Sequence, residues 1–158
     1  MATGKKKSKS SGRKSVLLKT GVYPKSKVDF SKIYSAFVSD LGKNSGSAMS
    51  FLGVSRLEGA DGKRQVKALV MEAYEEHANR MLQRICDEVR QKYELNRIEI
   101  IHALGSFKPG EPVVIVMLSS ARRVASFDAL REAVERYKKE PALFKQEVYP
   151  DGSTHWIH

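Results

Sequence analysis

Six cations stand where regular elements should end. Arg56 follows the apolar stretch SAMSFLGV, and Arg122 and Arg123 follow VVIVMLSS and open the next helix. Lys138 and Lys139 close that helix, and Lys145 comes seven residues after Lys138. Cations placed after strands and at a helix N-terminus can converge on one small anion, with guanidinium forks gripping its oxygens. The plain alternative is a set of separate solvated charges. Other chemistries are missing from the pattern. There is no paired-carboxylate site, no GxSxG elbow and no phosphate loop. Cys86 is the single cysteine, which excludes an intrachain disulfide and any zinc cluster of several thiolates. His77, His102, His155 and His158 show no metal-ligand spacing, so no metal is expected.

These side chains need a scaffold, and 158 residues suggest one domain. The net charge of +10 is unevenly placed. Lys5, Lys6, Lys7, Lys9, Arg13 and Lys14 all fall in residues 1–14, which contain no acid; without them the rest carries +4. That segment is too polar to offset the entropy of ordering, so it reads as a disordered basic tail. Residues 15–158 read as the folded domain. No apolar run reaches the roughly 20 residues that span a bilayer, and no apolar core follows the cationic N-terminus as in a secretory signal. The expected compartment is the cytoplasm.

Hydrophobic spacing orders the elements. Ser15–Tyr23 reads as a strand. Asp29 or Ser31 caps a helix carrying Ile33, Phe37 and Leu41. Ser47–Val54 is a strand in which Gly53 marks a bulge or close backbone approach. Gln65–Tyr74 is a strand with Val66, Ala68 and Val70 on one side. Glu75–Tyr93 is an amphipathic helix with Ala78, Met81, Leu82, Ile85 and Val89 inward, and Cys86 packed beside them. Arg97–Leu104 and Pro112–Ser119 are strands, the second apolar enough for a sheet centre. Ala121–Lys139 is a helix with Phe127, Leu130, Val134 and Tyr137 inward. Leu143–Tyr149 and Thr154–Ile157 flank Pro150-Asp151-Gly152 as a closing hairpin. His102 reads as a core or edge histidine and His77 as solvated. The order β-α-β-β-α-β-β-α-β-β does not alternate strictly. It favours an α+β domain with a mixed, largely antiparallel sheet over a doubly wound one.

Several segments together resemble the catalytic (large) subunit family of molybdopterin synthase. FLGVSR is similar to the family's "FtGxVR", and VKALVMEAYEEHANRMLQRICDEV to its "LeYEaYe.mA" segment. IIHALG resembles "vIHRiG", SSARRVASF resembles "saHR..AF", and FKQEVYPDGSTHW resembles "WKkE...dG..W". The likeness runs from about Val16 to Trp156, with the motifs in order. It implies an α/β-hammerhead-type fold and a sulfurtransferase of molybdenum cofactor biosynthesis. That enzyme converts cyclic pyranopterin monophosphate to molybdopterin by inserting two sulfurs. The donor it implies is a small ubiquitin-like subunit ending in a Gly-Gly thiocarboxylate. Large subunits would pair as a homodimer inside a heterotetramer. No resident cofactor is implied, since the pterin is the substrate.

Residue by residue, the resemblance places Lys145 at the lysine of "WKkE", and Lys138 at the earlier lysine seven residues before it. Arg56 matches the arginine of "GxVR", Arg123 that of "HR", and Phe51 the aromatic that precedes Arg56 and contacts the pterin. Lys138 and Lys145 are the expected catalytic pair, with Arg56, Arg122, Arg123 and Phe51 binding substrate. A lysine acting as base or nucleophile must be partly neutral, which crowding by other cations promotes. Two positions depart from the family: Arg122 stands at its histidine and Ala103 at its arginine. Arg122 restores a charge that Ala103 lacks but does not titrate near neutrality. Two other readings remain. One is an altered paralogue that docks the ubiquitin-like partner as a scaffold. The other is a basic nucleic-acid-binding domain, for which no aromatic RNP-type strand is present.

Overall fold

The computed structural model describes residues 18–157. The basic tail expected over residues 1–14, the start of the first expected strand and His158 lie outside them. Seven strands and three α-helices follow in the expected order: β1 (Gly21–Pro24), α1 (Phe30–Ser39), β2 (Ser47–Val54), β3 (Ala68–Ala73), α2 (Glu75–Lys92), β4 (Arg97–Phe107), β5 (Pro112–Ser120), α3 (Arg123–Tyr137), β6 (Leu143–Val148) and β7 (Thr154–Ile157). The strands form one sheet in the order β2-β5-β4-β3-β6-β7, with β1 also paired to β4. β1 runs parallel to β4 and every other pairing is antiparallel. This is the mixed, largely antiparallel α+β sheet expected.

β4 is longer than its expected Arg97–Leu104, and its extra length joins the two halves of the sheet. Residues Arg97–His102 pair with β5, while Gly105–Phe107 pair with β3. Gly105 sits at the change of partner with φ +131°, a backbone conformation that side chains disfavour. The strand therefore runs on past Leu104 as far as Phe107.

Helices cover both faces of the β4–β5 centre, so both faces are apolar. Val114, Val116 and Leu118 of β5 pack with Leu82, Ile85 and Val89 of α2 and with Ala129 and Ala133 of α3. The alternate residues Ile115 and Met117 meet Ile33 and Phe37 of α1 on the other side. The Asp29 carboxylate caps α1 by accepting from the Lys32 amide at 3.0 Å. Cys86 is buried in the larger core, where desolvation pushes its thiol up to about 12, so it is packing and not a nucleophile.

Three local readings are corrected. On β3, Met71 is the buried residue and Leu69 packs beside it, so the core-facing side is opposite to Ala68 and Val70. On α3 the buried positions are Ser126, Ala129, Ala133 and Tyr137, and Phe127 is 61% exposed. His77 is half-buried, with an Nδ1 that finds no partner among the described residues.

Candidate active site

β2 brings Phe51 to the α3 side of the sheet and then ends at an irregularity. Its register with β5 shifts between Gly53 and Val54, the bulge that Gly53 foreshadowed. Beyond it the Ser55 amide donates to the Glu111 carbonyl (2.9 Å), and the Gly110 amide donates to the Ser55 carbonyl (2.8 Å). These two bonds fix the point from which Arg56 leaves the sheet. Gly53 also leaves room for its neighbours: a Cβ there would stand 2.5 Å from Val114 Cγ1.

α3 ends beside the same point. Lys138 is its C-cap residue, and its Nζ lies 5.7 Å from the centroid of the Phe51 ring. Tyr137 stacks obliquely on Phe51, with centroids 6.5 Å apart. The chain then turns at Pro141 into β6, where Lys145 lies between Met71 of β3 and Ile157 of β7. Phe51, Arg56, Lys138 and Lys145 thus line one cleft of about 490 Å³, together with Tyr137 and His102. A second groove, about 510 Å³, continues from Lys138 and Lys145 past Leu143, Phe144 and Trp156. Phe144 and Trp156 are 49% and 46% exposed, so its apolar side is open.

The electrostatics of the cleft follow from burial. Desolvation lowers the pKa of Lys145, and the charge of Lys138 lowers it further. His102 is pushed down to about 4, first by burial and then by the charge of Lys145, against an opposing hydrogen bond with the Ala103 carbonyl. Burial raises the Tyr137 phenol to about 12. At neutral pH the His102 and Tyr137 rings are therefore neutral, and the exposed Arg56 and Lys138 stand at the edge of the same cleft. Such a site suits a flat ring that carries an anionic group.

Four of the expected site residues converge and two do not. Arg122 and Arg123 stand at the N-terminus of α3, and Lys138 at its C-terminus. The 15 residues between them make about 22 Å of helix. That end of α3 is tied down separately: the Ser126 hydroxyl meets those of Ser47 and Ser120, each at 2.7 Å. Lys139, a neighbour of the expected pair, points to Glu135 (3.4 Å) and lines only the outer groove. Tyr137, His102, Ser55 and Glu147 also line the cleft without having been singled out for it. The helical spacing of Tyr137, one residue before Lys138, was the available signal for the first. Glu147 is buried, with its carboxylate accepting from the Ala60 amide (2.8 Å) and the Tyr149 hydroxyl (2.5 Å). No group of three or more His, Cys, Asp or Glu side chains among the described residues could hold a metal ion.

Fold and cleft together define an α+β protein with a cation-rimmed, aromatic-floored pocket at the junction of β2, β6 and the end of α3. Residues 24–140 match the family described as MoaE protein. The molybdopterin synthase catalytic subunit of Bacillus subtilis is 36% identical over 115 residues, covering 73% of this chain and 71% of that protein. The human protein of the same name is 33% identical over 109 residues, covering 69% of this chain and 57% of its own length. The chain thus spans little more than half of the human relative. Among solved structures, molybdopterin synthase from Staphylococcus aureus superposes with a TM-score of 0.77 at 22% identity, covering 88% of this chain and 96% of that one. A complex of subunits 1 and 2 of the molybdopterin-converting factor from Helicobacter pylori superposes at 0.70, with 15% identity and 90% of each chain covered. The chain belongs to the MoaE family.

Proposed function

We propose that this chain is the catalytic subunit of a molybdopterin synthase. It moves sulfur from the C-terminal thiocarboxylate of a small ubiquitin-like subunit onto cyclic pyranopterin monophosphate, in a heterotetramer built on a dimer of large subunits. The observation that carries the reading is the meeting of Lys138 and Lys145 across one cleft, beside Phe51 and Arg56. Lys145 is half-buried, and burial together with the charge of Lys138 lowers its pKa, which favours the neutral form that accepts a proton during transfer. Lys138 stays on the rim, where a charged ammonium holds the thiocarboxylate. Phe51 and Tyr137 offer ring faces to the pterin, and Arg56 offers a fork to its phosphate.

Arg122 and Arg123 reach such a phosphate only if a second copy of the chain presents its α3 N-terminus to this cleft. A dimer of large subunits supplies that second copy. The docking-scaffold reading is not favoured, because the relatives are catalytic subunits. No helix among the described residues is long and apolar enough to cross a membrane. We place the reaction in the cytoplasm, a reducing compartment that suits a chain with an unpaired cysteine.

The test is reconstitution: the full chain, the pterin precursor and a thiocarboxylated partner are mixed, and the dithiolene product is measured. The expected result is product with the wild type and near-complete loss with Lys145→Ala. Full sulfur transfer by Lys145→Ala would overturn the assignment.

A further inference from the structure

His102 lies on β4 at the floor of the cleft and is 1% exposed. Its Nδ1 stands 2.9 Å from the carbonyl oxygen of Ala103. A carbonyl oxygen only accepts, so Nδ1 carries the ring proton. Nε2 is then the acceptor, and no donor among the described residues reaches it. The ring cannot easily turn away from this setting. It packs edge-on against Tyr137, with centroids 6.2 Å apart and planes at 66°, and Tyr137 is itself stacked on Phe51.

The acceptor sits on a ring that lines the cleft, so a donor among the cleft side chains can reach it. Among the cleft side chains, Lys145 is long, flexible and already half inside. The groups around it are few. Lys138 faces it from the end of α3, Arg56 and Glu58 from the segment after β2, and Glu147 from two residues along β6. Glu147 is committed to Ala60 and Tyr149, as described. The residues opposite Lys145 on β3 and β7 are Met71 and Ile157, which do not titrate. The burial that keeps His102 neutral preserves its lone pair, and the Lys145 charge acts in the same direction.

We propose that His102 is a positioning residue for Lys145: its Nε2 accepts a hydrogen bond from the Lys145 ammonium when that side chain reaches the cleft floor. The bond gives the lysine a fixed direction and partly offsets the loss of water around its charge. Only the kinetic consequence rests on the proposed sulfur-transfer function. The hydrogen bond itself does not depend on it.

The experiment titrates Lys145 in the full chain by pH-dependent competitive labelling with acetic anhydride, read by mass spectrometry. Wild type, His102→Leu, His102→Gln and His102→Asn are compared, with circular dichroism confirming the fold of each. Loss of the acceptor in His102→Leu should lower the Lys145 midpoint by about one pH unit, or about tenfold more neutral amine at a given pH below it. Gln carries an acceptor oxygen to the reach of Nε2 and should restore the wild-type midpoint. Asn is too short and should behave like Leu. In reconstituted transfer, His102→Leu should lower kcat with KM unchanged and move the acid limb of the rate profile to lower pH, and Gln should reverse both. Equal Lys145 midpoints in wild type, Gln and Asn would overturn the proposal, even if His102→Leu failed to fold. Absence of sulfur transfer by the wild type would overturn the proposed function alone, since the labelling still decides the role of His102.

Discussion

The Nζ of Lys138 lies 5.7 Å from the centroid of the Phe51 ring, although the two residues are 87 positions apart in the chain. A cation over a ring face is attracted by the ring quadrupole, so Phe51 holds the rim lysine as well as flooring the cleft. Phe51→Leu keeps an apolar side chain but removes the quadrupole. It should weaken capture of the thiocarboxylated partner by about two- to fivefold, seen as a rise in the partner concentration at half-maximal single-turnover rate. An unchanged value would separate Lys138 from Phe51 functionally.

Lys145 differs from Lys138 in burial, and its substitutions should separate charge from proton transfer. Lys145→Arg keeps the charge but never becomes neutral in a protein. Both Lys145→Ala and Lys145→Arg should therefore lose about a hundredfold or more of the single-turnover rate, within the usual range for a proton-transfer group. In the wild type the rate should rise with pH, because the neutral amine is the working form. The midpoint should fall below the ordinary lysine value, as burial and Lys138 require. Good activity in Lys145→Arg would remove the proton-transfer role.

Arg123 lies at the far end of α3 from Lys138, about 22 Å of helix away. If a second copy supplies it, mixing inactive Arg123→Ala with inactive Lys145→Ala should restore activity. Random pairing leaves one intact site of two in half the dimers, so about a quarter of the wild-type rate is expected. No recovery on mixing, checked after subunit exchange, would place Arg123 outside the site.

His102 ties acid stability to the site. Its folded pKa of about 4 lies below the value of 6.5 it takes when exposed. The folded state therefore favours the neutral ring. Its contribution is intact above pH 6.5, falls as the pH drops toward 4 and is lost below that. The gap amounts to roughly 3 kcal/mol. Urea unfolding of wild type and His102→Leu at pH 7.5 and pH 4 measures this contribution. Equal pH dependence in the two proteins would contradict it.

Gly53 should not tolerate a methyl group. A Cβ would stand 2.5 Å from Val114 Cγ1 and 3.3 Å from the Phe51 ring. Gly53→Ala should cost about 1–3 kcal/mol by overpacking, measured as a lowered thermal midpoint. It should also disturb Phe51 and so lower sulfur transfer. A variant as stable and active as the wild type would show that the bulge adjusts freely.

The element order was legible because helices and strands announce themselves by local spacing. β2, α2 and the β6–β7 hairpin fall within a residue or two of their expected bounds. α3 shows where that signal fails. Phe127, Leu130, Val134 and Tyr137 are the strongly apolar residues, yet the helix buries Ser126, Ala129 and Ala133 with Tyr137. Small side chains let it sit close on β2 and β5, and small side chains carry little hydropathy for a sequence to display.

By itself the sequence determined the kinds of chemistry available. It supplied the arginines and lysines, a lone cysteine that packs in the core, and motifs that carry the family resemblance. Tertiary structure decided which of those cations meet. Lys145 reaches the cleft through its register with Met71, Phe51 through its register with Val116, and Lys138 because α3 ends where β2 bulges. Those pairings join distant segments, and residue spacing encodes only near neighbours. The rigid rise of α3 likewise parts Arg122 and Arg123 from Lys138, though all of them stood together as cations at the ends of one predicted helix.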